Sequence, residues 1–383
     1  MKPLTGLRLL EFDGIGPIPF CSMLLSDLGA DVVRLTRGGG GAWADVGGAV
    51  MHRGRDAISV DLKNPATRER VLDLLGSADG LVEGYRPGVM ERLGFGPELC
   101  QSRNPRLVYG RMTGYGQHGP LANAAGHDIN YISLSGALHA SGDPSIPPVP
   151  ALNLVGDYGG GAMLLAVGML SGLLEAARTG RGRVVDAAMT DGSALLMSLF
   201  YAFRSTGQWG DARGSNLLDG SAPFYRCYRC ADDRFIAVGA LEPAFFALLL
   251  KGLDIPPAEI DQSDQTGWPA MQSRFAAAFA TRTRDDWAER FSGTDACVTP
   301  VLDMAEAPHH PHNQARASFF EGSGVTQPAP APRFLPDDGC DPVPAPGRTV
   351  SFDEVAARWA HPRPSSSPAD DALHAARPSQ RPE

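Results

Sequence analysis

"GLRLLEFDGIGPIPFCSMLLSDLGADVVRLTR", residues 6–37, runs from a short apolar segment through a glycine turn and an apolar stretch into a second short apolar segment. By periodicity this is a strand over 7–12, a helix over about 19–28 and a strand over 31–36, the βαβ unit of a parallel sheet. Short apolar strands recur at "DGLVEGY" (79–85), "RLVYGRM" (106–112) and "RVVDAAM" (183–189), with helical patterns at 65–77, 159–178 and 190–205. Strands alternating with helices in this way build an open, doubly wound, Rossmann-like α/β domain.

The pattern stops at "GQWGDARGSNLLDGSAP" (207–223), a polar, glycine-rich stretch that reads as a linker. Past it, "YRCYRCADDRFIAVGAL" (225–241) reads as a β-hairpin turning at "ADDR", and helical patterns follow at 243–253 and 284–291. The expected division is therefore a large α/β domain over 1–206, a linker over 207–224 and a smaller α+β domain over 225–325. Proline dominates "QPAPAPRFLPDDGCDPVPAPG" (327–347), which excludes helix and central strand. Residues 326–361 should return, extended, to the large domain and end in the short helix "SFDEVAARWA" (351–360), while 362–383 has the composition of a disordered tail.

A chain of 383 residues exceeds what one core usually covers, which agrees with two domains. Lys and Arg total 34 against 43 Asp and Glu, a net charge of −9, and no basic run interleaved with aromatics suggests a nucleic-acid partner. Six scattered cysteines and an opening "MKPLTGLRLLEF" without signal-peptide segments point to a reduced, cytoplasmic protein. The uncharged stretch "YGGGAMLLAVGMLSGLL" (158–174) is rich in glycine and reads as a buried core helix, with no membrane partner.

"DGIGPIP" (13–19) invites comparison with the dinucleotide fingerprint, but it lacks the third glycine and places Pro17 and Pro19 where that helix should begin. No nicotinamide or flavin cofactor is expected. Arg34 and Arg37 end the second strand where a ribose-binding enzyme of that type carries an acid, and they suit a phosphorylated ribose. Glu83, Tyr85 and Arg86 in "VEGYRPG" (82–88) fall at the ligand-holding end of a strand, and Arg86 and Arg92 with Arg37 would make a basic cluster for a polyanion. The tetraglycine at 38–41 reads as a loop. Cys227 and Cys230 have no second pair at zinc spacing, Pro311 interrupts "HHPH" (309–312), and no metal site is expected. "MTDGSALL" (189–196) lacks the Gly-x-Ser-x-Gly elbow of a serine hydrolase.

There remain His127 and Asp128 in "AGHDINYISLSG" (125–136), Asp157 in "NLVGDYGGG" (153–161) and Glu242 in "GALEPAFF" (239–246). The first two stand side by side in a stretch that otherwise reads as buried, and a buried charge must be paired, neutralised or used. Capping alone accounts for an Asp at the expected N-cap of the glycine-rich helix, and for Glu242 before a proline-started helix. A lone His127 fits a satisfied core position equally well. These residues make a catalytic site only if they meet in space.

The ordered series "PLTGLRLLEFDGIGP", "DLGADVVRLTR", "EGYRPGVMERLGFGP", "RMTGYGQHGPL", "AGHDINYISLSG", "NLVGDYGGG", "VDAAMTDGSALL", "APFYRCYRCADDRFIAVGALEP", "TDACVTPVL" and "QPAPAPRF" resembles the type III CoA-transferase superfamily over about residues 1–335. The histidine of "GHDINY" is similar to that of its α-methylacyl-CoA racemase branch. The resemblance implies inversion of the α-carbon of 2-methylacyl-CoA thioesters by two-base proton transfer through an enolate. It puts the acid/base pair on His127 and Asp157, with Glu242 supporting the histidine. It puts CoA contacts on Arg37, Val60, Asp61, Leu62, Lys63, Glu83, Gly84, Tyr85, Arg86, Arg92, Gly126, Asp128, Ile129, Asn130 and Tyr131. It also implies an intertwined homodimer in which each site uses the small domain of the other chain, and no cofactor, CoA being part of the substrate. The alternative is a CoA-transferase in which Asp157 forms an acyl anhydride and His127 has no necessary role. A non-catalytic CoA-binding protein would keep the arginines without needing Asp157 or Glu242.

Overall fold

The computed structural model describes residues 2–37, 47–335 and 344–361. The tetraglycine at 38–41, the centre of the proline-rich return with Cys340, and the tail expected to be disordered lie outside the described residues. Two compact units divide the chain, one made of 1–125, 157–189 and 320–383, the other of 126–156 and 190–319.

The first unit is built on six strands, β1 (Arg8–Phe12), β2 (Asp31–Thr36), β3 (Asp56–Ser59), β4 (Gly80–Glu83), β5 (Val108–Thr113) and β6 (Val184–Ala188). All neighbours pair in parallel, in the order β3-β2-β1-β4-β5-β6. This is the order of a doubly wound sheet, the class expected from the sequence, and it reverses between β1 and β4, where open α/β sheets hold ligands at the carboxyl ends of their strands. Leu10 lies opposite Val33 on one side and Leu81 on the other, and all three are fully buried. β3 is absent from the sequence reading because "DAIS" is short and mixed; its partners make it a strand, β2 on one side and a bridge from Ala57 to Thr349 on the other.

The helix expected over about 19–28 is α1 (Pro17–Asp27), and it begins two residues earlier, with Pro17 and Pro19 both in its first turn. The first-turn N–H groups have no helical acceptor, so proline gives up nothing there. The glycine-rich helix extends over Leu154–Thr179, its first ten residues, Leu154–Met163, in π-helical geometry. It is long and apolar enough to cross a membrane, yet half of its most apolar window is buried inside the protein. Its glycines set that packing: a Cβ on Gly172 would stand 2.7 Å from Val108 Cγ1 of β5, and one on Gly168 2.5 Å from Val185 Cγ1 of β6. The chain returns to this unit through the helix Phe352–Ala360, whose Val355 and Trp359 enter the sheet's core and whose Trp359 indole donates to Asp31 at 2.8 Å.

The second unit holds the expected hairpin, β7 (Tyr225–Arg229) and β8 (Phe235–Gly239), extended by β9 (Val298–Pro300) into an antiparallel sheet. The helices Pro243–Gly252, Trp268–Phe279 and Arg284–Phe291 surround an aromatic core that includes Phe224, Tyr228, Phe246, Phe275, Phe279 and Trp287. The pattern read as one helix over 190–205 is two, Met189–Leu196 and Ser198–Ser205.

The unit also takes in 126–156 and 190–206, which the sequence division assigned to the large domain. The segment read as a linker explains why. Arg213 donates to the carbonyls of Asp143 and Ile146 at 3.2 and 2.8 Å, and the Asp219 carboxylate collects the N–H groups of Gly214, Ser215, Asn216 and Ser221. A segment whose backbone donors are satisfied this fully is ordered structure rather than a tether.

Candidate active site

Two loops meet at the reversal of strand order. After β1 the chain turns through Gly16, with φ 67°, into α1; after β4 it passes Gly84, where a Cβ would stand 2.8 Å from Ile18 Cγ1 of α1. Glycine at 84 therefore allows the two strand ends to close on each other. Asp157 belongs to this turn. Its Oδ2 lies 3.1 Å from the position a Cβ on Gly16 would take, and Tyr158 beside it stacks on Phe20 of α1 at 4.6 Å between ring centroids. Asp157 is not the N-cap expected for it, because the helix already begins at Leu154 and places it in the first turn.

The expected CoA contacts of this unit follow the carboxyl ends of β2, β3 and β4. Arg37 is exposed after β2, its guanidinium 5.6 Å from the centre of the Tyr85 ring. After β3, Val60 and Leu62 are buried in the core, so of the expected quartet only Asp61 and Lys63 present side chains to solvent. Val60 N–H continues the pairing with β2 by donating to the Thr36 carbonyl at 2.8 Å. Past β4, Gly84 and Arg86 are exposed, Tyr85 is half-buried, and exposed Arg92 follows on the short helix Val89–Leu93.

Glu83 ends β4 fully buried, accepting from Tyr85 N–H at 2.7 Å and from Arg111 Nε at 2.9 Å. Burial pushes its carboxyl up to about 7, against the opposing pull of those two donors. Sequence reasoning missed Arg111 because it sits inside the apolar strand "RLVYGRM", although a charge in such a strand was itself a signal. It also missed Gly16 as the neighbour of Asp157; a glycine directly before Pro17 in the turn after the first strand was the clue.

In the second unit, His127 is exposed rather than buried, at the N-cap of the helix Asp128–Leu134. Its N–H donates to Asn130 Oδ1 at 3.1 Å, so Asn130 is engaged in holding the helix start. Asp128 is the buried member of the pair, and its Oδ1 accepts from Gly156 N–H at 2.6 Å. Tyr131 is buried and donates its hydroxyl to the Gly126 carbonyl, while Ile129 is exposed. Glu242 is an exposed N-cap of the helix Pro243–Gly252. Among the described residues, no hydrogen bond or ion pair within the chain joins it to His127.

Cys227 is exposed on β7 and Cys230 is buried, its thiol pushed up to about 11 by burial. Among the described residues, no group of three or more His, Cys, Asp or Glu side chains is arranged to hold a metal ion.

Residues 4–362 match CoA-transferase family III. The chain is 45% identical to the α-methylacyl-CoA racemase of Mus musculus over 331 residues, covering 86% of each protein. It is 44% identical to the α-methylacyl-CoA racemase of Homo sapiens over 334 residues, 87% of this chain and 86% of the human one. The crystal structure of a CAIB/BAIF family protein from Brucella suis superposes with a TM-score of 0.79 at 23% identity, covering 94% of this chain and 99% of its own, a likeness of fold.

Proposed function

This chain belongs to CoA-transferase family III, and from that premise we propose that it is an α-methylacyl-CoA racemase acting on 2-methylacyl-CoA thioesters. The observation that supports this most is the 45% identity with the mouse racemase across 86% of both proteins.

Inverting a carbon beside a thioester carbonyl requires removing its weakly acidic proton and returning one to the opposite face. His127 and Asp157 are the two carriers, and together they hold one mobile proton. With Asp157 ionised and His127 cationic, Asp157 takes the α-proton of one enantiomer and the imidazolium delivers its own to the other face. The pair is then left neutral, ready to run the reverse inversion. Asp157, in the first turn of one helix and against the N-cap glycine of another, is favoured as the anion that begins this cycle. Backbone N–H groups at the start of the Leu154–Thr179 helix stabilise the enolate oxygen. No cofactor enters the scheme, since two bases suffice.

Glu242 steadies the cationic imidazole across a homodimer: Glu242 of the partner subunit faces His127 and accepts its second ring N–H. Arg37, Lys63, Arg86 and Arg92, all exposed and all following the carboxyl ends of β2, β3 and β4, take the CoA phosphates.

The test incubates a chiral 2-methylacyl-CoA in deuterated water with and without a free carboxylate acceptor. Deuterium should enter at the α-carbon as stereochemistry is lost, with no acceptor required. His127→Ala and Asp157→Ala should each slow inversion by orders of magnitude. Acceptor-dependent CoA movement without α-deuteration, with an Asp157 acyl adduct trapped by hydroxylamine and His127→Ala tolerated, would establish the transferase instead.

A further inference from the structure

We infer that Arg111 is a positioning residue for CoA binding, a buried clamp that holds two cation-bearing turns of the strand-end edge at once. The inference rests on the reading that Arg37 and Arg92 meet the CoA phosphates.

Arg111 lies on β5 directly opposite Glu83 of β4 in the parallel register and is almost fully buried. Its Nε donates to Glu83 Oε1 at 2.9 Å, while Nη1 and Nη2 fork onto Glu91 at 2.9 and 3.3 Å. Each carboxylate passes the constraint on. The other oxygen of Glu83 accepts from Tyr85 N–H at 2.7 Å, and the Tyr85 ring carries the Arg37 guanidinium on its face. Glu91 immediately precedes Arg92 on the helix Val89–Leu93, which is only five residues long.

That helix is framed by Gly88 and Gly94, both left-handed, with φ of 79° and 81°. A single turn between two such glycines is too short to hold itself, since an isolated helix needs many more residues to offset its nucleation cost. The Arg111–Glu91 fork supplies an external tie. A lysine at 111 would keep the charge and lose the geometry, because an ammonium cannot span two carboxylates as a planar guanidinium does.

The test uses Arg111→Lys and Glu91→Gln, each assayed on a 2-methylacyl-CoA and on the corresponding pantetheine thioester, which lacks the nucleotide and its phosphates. KM for the acyl-CoA should rise about tenfold with kcat within about twofold, and kcat/KM for the pantetheine thioester should not change. Equal losses on both thioesters would mean a general structural role and overturn the inference. Arg37→Ala and Arg92→Ala run beside them. If those two raise KM and Arg111→Lys does not, the clamp fails while the CoA assignment stands; if neither raises it, the assignment fails and the clamp with it. Glu91→Gln, on a partly exposed side chain, keeps the test open should Arg111→Lys not fold. Combined with Arg92→Ala it should cost no more than Arg92→Ala alone, and a fully additive loss would refute the coupling.

Discussion

The Asp157 carboxylate rests against Gly16, its Oδ2 3.1 Å from the point where a side chain at 16 would begin. The turn that starts α1 thus forms a wall against the expected proton carrier.

Gly16→Ala should therefore cut racemisation at least tenfold while leaving the protein folded. A φ of 67° with ψ −114° is a sparsely populated pair that costs an alanine about 1–3 kcal/mol, and the new methyl group crowds Asp157 as well. Melting temperature and kcat, measured on the same preparation, separate the two effects. A variant that melts lower but turns over normally would show that Asp157 does not depend on this wall.

Asp128 should prove structural. Replacing it by alanine leaves the buried N–H of Gly156 without this acceptor, a loss of about 1–3 kcal/mol. Asp128→Asn keeps an acceptor of the same shape and should cost less. Urea denaturation should rank the proteins as wild type, then Asn, then Ala, and an alanine variant as stable as the wild type would remove Asp128 from this role.

Stability should fall as pH rises from about 4.5 to about 7. The Glu83 carboxyl is raised above its ordinary range by burial, to about 7, so across that window the folded protein binds a proton that the unfolded chain releases. Binding more protons in the folded state makes the slope of unfolding free energy against pH negative, and the span corresponds to about 3 kcal/mol. Denaturation midpoints of the wild type and Glu83→Gln, compared from pH 4.5 to 7.5, test this. The glutamine variant should show a flatter profile, and identical profiles would exclude Glu83 as the source.

Trp359→Ala should destabilise the first unit by about 3–5 kcal/mol, because it empties a core position and removes the bond from its indole to Asp31. Trp359→Phe keeps most of the bulk and should cost much less. Calorimetric unfolding distinguishes them, and equal losses would mean that the hydrogen bond rather than the packing anchors the terminal helix.

The sequence by itself determined the doubly wound sheet, the hairpin of the second unit and the turn residues at the carboxyl edge of the sheet. Those features are local: alternating apolar runs, a glycine turn before Pro17 and arginines after strands act over a few residues, and their periodicity survives in one dimension. The candidate site residues stood out as ionisable types in apolar or strand-end stretches. Their surroundings were not legible.

Only the tertiary structure decided that His127 is exposed while its neighbour Asp128 is buried, because one residue of rotation at a helix start separates solvent from core and no local pattern fixes that phase. β3 likewise exists through β2 and the bridge to Thr349, since a four-residue segment has too little propensity to form a strand alone. The supposed linker was polar because its polar groups bind one another and 126–156, which composition cannot distinguish from groups that bind water. Arg111 could be read as a charge inside a strand, but its two carboxylate partners lie 28 and 20 residues away in the chain. Folding alone brings such partners into one hydrogen-bonding fork, because the geometry that satisfies a buried guanidinium is set by how neighbouring strands and helices pack.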